Sequence, residues 1–407
     1  LICLRLSVKN AIFMVVNLNS LKYCPKYYIA SVKPIRYHNR TMKAMKIMNK
    51  KSIMIVTPPL TSPAMPSFTG AFAAGCFSPE DFNVVIYDAN LDFFTNHVFS
   101  KRVLEIGFKA FVQNKKKSLI SNKDFRVLEK VFQSLSFQPF STEYFRSESF
   151  YDPEKYLVAR NRIDDLLFLY SAGFYPSRIR WNFLSGSIVD DNNNPLFISF
   201  YYEKFGLMLK QALPETVIIA LDSESQISPS NTMIKYIKTN FPEIQTIVLQ
   251  EKYHAGNNTP DPGQIFSLQN QSLFLKWINT TWKCDNGYSN IEPDFSMFPL
   301  KEYLAPELIL PIQADFFKDS LSLGDFVAKL NDKFGAKGFF FNNLLFSFEI
   351  FLKIKNPAEF FFGIQTDMED YEKMSDNNKN QNIFSSGTTL VQWKNPGKKD
   401  PYNIKDL

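Results

Sequence analysis

The 407-residue sequence holds four cysteines, three histidines and only 15 glycines. Cys3, Cys24, Cys76 and Cys284 stand far apart, with no CxxC or CxxxCxxC spacing, so neither a disulfide framework nor a local metal knot is indicated. A reducing, cytoplasmic setting fits that usage. His38, His97 and His254 are the only imidazoles. The "SGS" at Ser185 to Ser187 is not a nucleophile elbow, so Ser/His catalysis finds no constellation. Neither the P-loop nor the GxGxxG fingerprint occurs, which removes the two common glycine cradles for phosphate. Every long apolar run is cut by Lys, Glu or Pro, and no membrane-spanning segment is expected.

What is present points to an ordered chain. Hydrophobic residues make up 45% and aromatics 15%, with 41 Phe, enough to bury one large core or two ordinary ones, and two domains are expected. The net charge of +6 is spread along the chain. The one dense basic run, Lys115 to Lys117, reads as a solvated helix face, and no nucleic-acid partner is expected. Asp164/Asp165 read as a helix face and Asp190/Asp191 as a turn, while the acidic run from Gly363 to Met374 reads as a solvated loop or helix start. Residues 1–47 are too broken by charge to span a membrane and are expected to be an extension outside the fold.

Strands and helices alternate through the rest. "SIMIVT" (Ser52 to Thr57), "NVVIYD" (Asn83 to Asp88), "TVIIALD" (Thr216 to Asp222) and "IQTIVLQ" (Ile244 to Gln250) are short β-branched apolar runs of the kind that fill parallel sheets. The last two flank a segment with Met233, Ile234 and Ile237 at helical spacing, which predicts a right-handed parallel crossover. Residues 50–260 therefore predict an open α/β sheet that binds ligands outside the carboxyl ends of its strands, with a helical insertion at about 96–212 packed as an appendage. In the loop after the first strand, Pro58, Pro59, Pro63 and Pro66 impose stiffness while Ser62, Ser67 and Thr69 offer hydroxyls to a ligand above the sheet. Asp88 and Asn90 close the second strand at the same crevice.

These stretches carry a resemblance. "IMIVTPPLTSPAMPS" followed by "VVIYDANLDFF" resembles the start of the cobalamin-binding domain in cobalamin-dependent radical S-adenosylmethionine enzymes, especially those linked to modification of ribosomal peptides. "LYSAGFYPSRI", "NPLFISFYYE", the "SQI" at Ser225 to Ile227 and "PDFSMFPLKEYLAPELILPIQ" follow in the family's order, covering about residues 50 to 345. The resemblance implies an α/β fold, a Rossmann-like cobalamin-binding-type parallel sheet followed by a truncated partial (β/α) barrel over 293–407. It also implies cobalamin in the crevice lined by Pro58, Pro59, Ser62, Pro63, Pro66, Ser67, Asp88 and Asn90, with its nucleotide side there. "DANLDFF" lacks the histidine pattern that ligates cobalt in other cobalamin proteins, and His97 is not spaced for it.

The family's iron–sulfur cluster and S-adenosylmethionine require a CxxxCxxC loop after "LILPIQ", yet no cysteine occurs between Cys284 and Leu407. Asp315, Asp319 and Ser320 are hard donors that do not replace thiolates. Bulk at Ile218 and Ala220, and "QEKYHAG" where the family has paired glycines, crowd a bound corrin further. The expectation is a catalytically inactive copy of an enzyme that performs radical methylation or rearrangement on a peptide or natural product. Two alternatives stand beside it: a non-catalytic cobalamin- or peptide-binding module working with an intact partner enzyme, and a second chain that supplies the cysteines. Substrate and oligomeric state are not specified by the sequence.

Overall fold

The computed structural model describes residues 50–116, 121–137, 142–147, 153–174, 178–180, 183–185, 195–251, 264–282, 291–313, 316, 320–341, 361–366 and 388–393. The N-terminal extension, Cys284, His38, His254, Asp190, Asp191, Asp315, Asp319 and the acidic run after Thr366 lie outside these residues. In chain order the strands are β1 (Lys51–Thr57), β2 (Phe82–Asp88), β3 (Arg178–Arg180), β4 (Phe183–Ser185), β5 (Thr216–Leu221), β6 (Gln245–Gln250), β7 (Ile265–Ser267), β8 (Ile309–Ile312), β9 (Gly338–Phe341), β10 (Phe361–Thr366) and β11 (Thr388–Trp393). The helices used below are α1 (Phe68–Gly75), α2 (Ala89–Asp92), α3 (Lys101–Lys116), α4 (Asn122–Phe137), α5 (Pro153–Ser171), α6 (Pro195–Phe200), α7 (Gly206–Ala212), α8 (Ile227–Asn240), α9 (Gln271–Trp282) and α10 (Ser320–Phe334).

Five strands form one parallel sheet in the order β2-β1-β5-β6-β7. Numbered within the sheet this is 2-1-3-4-5, a doubly wound order whose direction of winding reverses between β1 and β5. The four apolar runs of the sequence all fall on strands of this sheet. Both faces are covered, which is why the middles of the strands are unbroken apolar runs instead of alternating. Ile53, Ile55, Ile218, Ala220, Ile247 and Leu249 enter one core, and Met54, Val56, Val217, Ile219 and Val248 enter the other.

Two features differ from the sequence reading. The sheet continues past residue 260 into β7, with α9 after it. Within the helical region, α3 and α4 pack on the outer side of α5 in a small cluster of their own, while α5 to α7 share a core with the sheet. Ile163, Leu166 and Tyr170 of α5, Leu196, Phe197 and Phe200 of α6, and Leu209 of α7 share one buried cluster with Met54, Val56 and Ile219, so these helices belong to the layer over one face.

A second sheet, β11-β10-β9-β8, is also parallel and runs in chain order. It shares a core with the first. Leu310, Ile312, Phe339 and Phe341 join Ile55, Ile218 and Leu249 in one cluster, with α1 between them. The small residues of α1 (Gly70, Ala71, Ala73, Ala74 and Gly75) let it touch β1, β5, β6 and β8 while burying Phe68 and Phe72. The lead-in to β8 then lies along α1: the Asp294 N–H donates to the Ala71 carbonyl at 2.8 Å.

This seating is tight enough to test. A Cβ on Gly75 would come within 2.1 Å of the Glu292 carbonyl oxygen, a backbone atom with little room to retreat. Gly75→Ala should lower the unfolding free energy by ~2 kcal/mol in a urea titration. An unchanged midpoint would show that residues 291–294 are not held against α1.

Candidate functional site

The winding reversal places the candidate site at the carboxyl ends of β1, β2 and β5, where open α/β sheets take their ligands. Register puts Thr57 opposite Asp88. Period-two alternation then aims Thr57, Asp88 and Asp222 at the face that carries α1. The structure brings together the residues predicted for this site, but turns their polar atoms inward. Pro58, Pro59, Pro63 and Pro66 are buried, and Ser62 is half-buried, its Oγ accepting the Ala64 N–H at 3.3 Å.

Ser67 is the N-cap of α1, its Oγ accepting from the Gly70 N–H at 2.8 Å. Thr69 spends its hydroxyl on the Leu221 carbonyl at 3.2 Å. Asn90 Oδ1 accepts the Thr61 N–H at 3.0 Å. Asp88 caps α2 by accepting the Leu91 N–H at 2.8 Å, and its other oxygen accepts the Tyr303 hydroxyl at 2.5 Å.

Four residues that the sequence reading does not assign to the site complete it, although Ser225 and Gln226 belong to the quoted "SQI" and Tyr303 to the quoted lead-in. Asp222, just past β5, accepts the Thr69 N–H at 2.9 Å, so a carboxylate sits at the positive end of α1. Gln226 accepts from the Asp222 and Ser223 N–H groups at 2.8 and 3.1 Å and donates to the Pro58 carbonyl at 2.7 Å. Ser225 donates to the Leu60 carbonyl at 2.6 Å. Tyr303 comes from the lead-in to β8, and its neighbour Leu304 donates its N–H to the Pro63 carbonyl at 2.9 Å. One signal was legible: "TVIIALD" ends on an Asp in the same way as "NVVIYD". The loops after β1 and β5 are thus bonded directly to each other across the point where the winding reverses, and Tyr303 and Leu304 close the top.

Electrostatics follow from this closure. Burial pushes the Asp88 carboxyl up to about 6, the Tyr303 hydroxyl and the Leu91 N–H pull it down, and the charge of Asp222 adds to the rise. Burial also raises Asp222, against hydrogen bonds from Ser67 and Thr69. His97 is buried elsewhere, with Nε2 3.2 Å from the Tyr170 hydroxyl. Because that hydroxyl donates to the Leu196 carbonyl, Nε2 is the donor to Tyr170, a structural role. Among the described residues no group of three or more His, Cys, Asp and Glu side chains is placed to hold a metal ion, and no helix is long and apolar enough to cross a membrane.

Cobalamin does not fit this arrangement. The hydroxyls of Ser67 and Thr69 are spent inside the fold, Asp88 and Asn90 are buried, Ile218 and Ala220 fill the core beneath, and Tyr303 and Leu304 cross the opening. No protein-family model, no curated protein and no solved structure matches the chain.

Two outcomes follow from the closed site. A carboxyl whose folded value, about 6, exceeds its ordinary 3.8 favours the folded state below about pH 4 and loses that contribution as pH rises through about 6. At ~1.4 kcal/mol per unit the loss is ~3 kcal/mol. Asp88→Asn should remove most of this slope from the unfolding free energy measured between about pH 4 and pH 7, and an unaltered slope would refute the assignment. Gln226→Ala strands two N–H groups and the Pro58 carbonyl, and should cost ~2–3 kcal/mol by chemical denaturation.

Proposed function

We propose that this chain is a non-catalytic protein of the cobalamin-binding radical S-adenosylmethionine type, which keeps the two-sheet plan and has given up the cofactor chemistry. The observation that carries this reading is the lack of any cysteine between Cys284 and Leu407, which leaves the second sheet without soft donors for an iron–sulfur cluster. The parallel strands β8 to β11, laid side by side in chain order with α10 between β8 and β9, support the partial (β/α) barrel half of the comparison. The five-stranded sheet in the order 2-1-3-4-5 supports the Rossmann-like half. The bonded crevice supports the loss of cobalamin along with the cluster.

A protein of this kind acts through binding, beside an enzyme that still carries the cluster and works on a peptide or natural product. Anaerobic reconstitution with ferrous iron and sulfide should leave no stoichiometric thiolate-to-iron charge-transfer absorbance, and titration with hydroxocobalamin should give no saturable spectral change. Protein that returns with ~4 iron and ~4 sulfide per chain would overturn the reading.

A further inference from the structure

Six buried side-chain atoms among the described residues lack a hydrogen-bond partner, and two of them belong to the closed crevice. Thr57 Oγ1 and Asn90 Nδ2 are buried without a hydrogen-bond partner, in side chains that are each 1% exposed. Thr57 is the register partner of Asp88, and Asn90 lies two residues beyond it. In the same loop Leu60, fully buried, holds φ at 76°, a left-handed conformation that a branched side chain rarely adopts. Buried polar atoms without partners are uncommon in native proteins, and strained backbone gathers at ligand sites and switches. Thr57, Asn90 and Leu60 all belong to the carboxyl edge at which a doubly wound sheet binds its ligand.

The chemistry of the shell narrows the ligand. In dinucleotide-binding sheets an acidic residue after the second strand accepts the ribose hydroxyls, while the pyrophosphate lies on the N-terminus of the first helix. Asp88 stands at the end of β2 and already accepts a hydroxyl, that of Tyr303. Thr57 and Asn90 beside it offer a hydroxyl and an amide donor. The N-terminus of α1, in contrast, is filled by the Asp222 carboxylate. A phosphate there would face a second anion.

We propose that the carboxyl edge between β1 and β2 is a binding site for an uncharged vicinal diol, of the class of the ribose in a nucleoside, and that Tyr303 fills it when no ligand is bound. One diol oxygen replaces the Tyr303 hydroxyl on Asp88, and diol oxygens accept from Asn90 Nδ2 and pair with Thr57 Oγ1, satisfying both stranded groups. The phenol of Tyr303 is then an intramolecular competitor that lowers apparent affinity by the fraction of time it is in place. This inference does not depend on the iron–sulfur or cobalamin reading, because it uses only groups of the first sheet and Tyr303.

The test is calorimetric titration of the full chain with adenosine, dideoxyadenosine and AMP. Wild type should bind adenosine weakly, and Tyr303→Ala should bind it about tenfold more tightly or better, since the competitor is gone. Asp88→Asn placed on that background should weaken adenosine about tenfold, through loss of a charge-assisted acceptor. Dideoxyadenosine, without the diol, and AMP, with its phosphate, should bind at least about tenfold less tightly than adenosine. If Tyr303→Ala does not fold by circular dichroism, Tyr303→Phe, which loses only the hydroxyl, takes its place and should still gain over wild type. Absence of adenosine binding by the folded variant, or equal binding of dideoxyadenosine or AMP, would overturn the site.

Discussion

A carboxylate placed on a helix N-terminus organises this molecule. The first turn of α1 points at the carboxyl edge of the sheet, and its N–H groups must be met by water, a ligand or the chain itself. Asp222 and the Ser67 cap meet them here. Once Asp222 is drawn over α1, Gln226 is carried to Pro58 and Ser225 to Leu60, and the two loops close on each other. Desolvation outweighs the hydrogen bonds in setting the proton affinity of Asp222 and of its neighbour Asp88, so the closed edge keeps two carboxyls nearer neutrality than exposed ones would be.

The second sheet brings the closing segment over this edge. Since α1 is built of small residues and shared between the two sheets, the chain entering β8 has to pass along α1 and over the edge of the first sheet. On that path it buries Phe295, Phe298, Tyr303 and Leu304. The ion pairs that flank it, Lys329 with Glu292 and Lys333 with Asp294, are solvent-exposed and contribute little beside that apolar burial. The segment thereby fills both cores, with Phe295, Phe298 and Tyr303 in the one shared with the second sheet and Leu304 in the other.

Much of the architecture was visible in the residues. β1, β2, β5 and β6 stand within a residue of their predicted bounds because buried parallel strands leave unbroken β-branched runs, and α8 matches the helical spacing of Met233, Ile234 and Ile237. β7 was missed, since three residues carry no period. That α5 to α7 share a core with the sheet was not legible, because a helix's apolar residues do not say whether a sheet or another helix covers them. The residues named from the sequence lie together: the prolines, Ser67, Asp88 and Asn90 stand at the carboxyl edge of the first sheet, and a second Asp follows β5. Tyr303 was not legible as a site residue, because 215 positions separate it from Asp88.

Local chemistry alone determined the parallel strands, the stiff proline loop and the absence of a thiolate cluster in the C-terminal region, because each depends on residue type and near-neighbour spacing. Tertiary structure alone decided that hydroxyls and carboxyls suited to a ligand are instead turned on one another. That outcome depends on which strands are adjacent, on the helix dipole that Asp222 answers, and on where a distant tyrosine is carried by a shared core, none of which a one-dimensional pattern encodes.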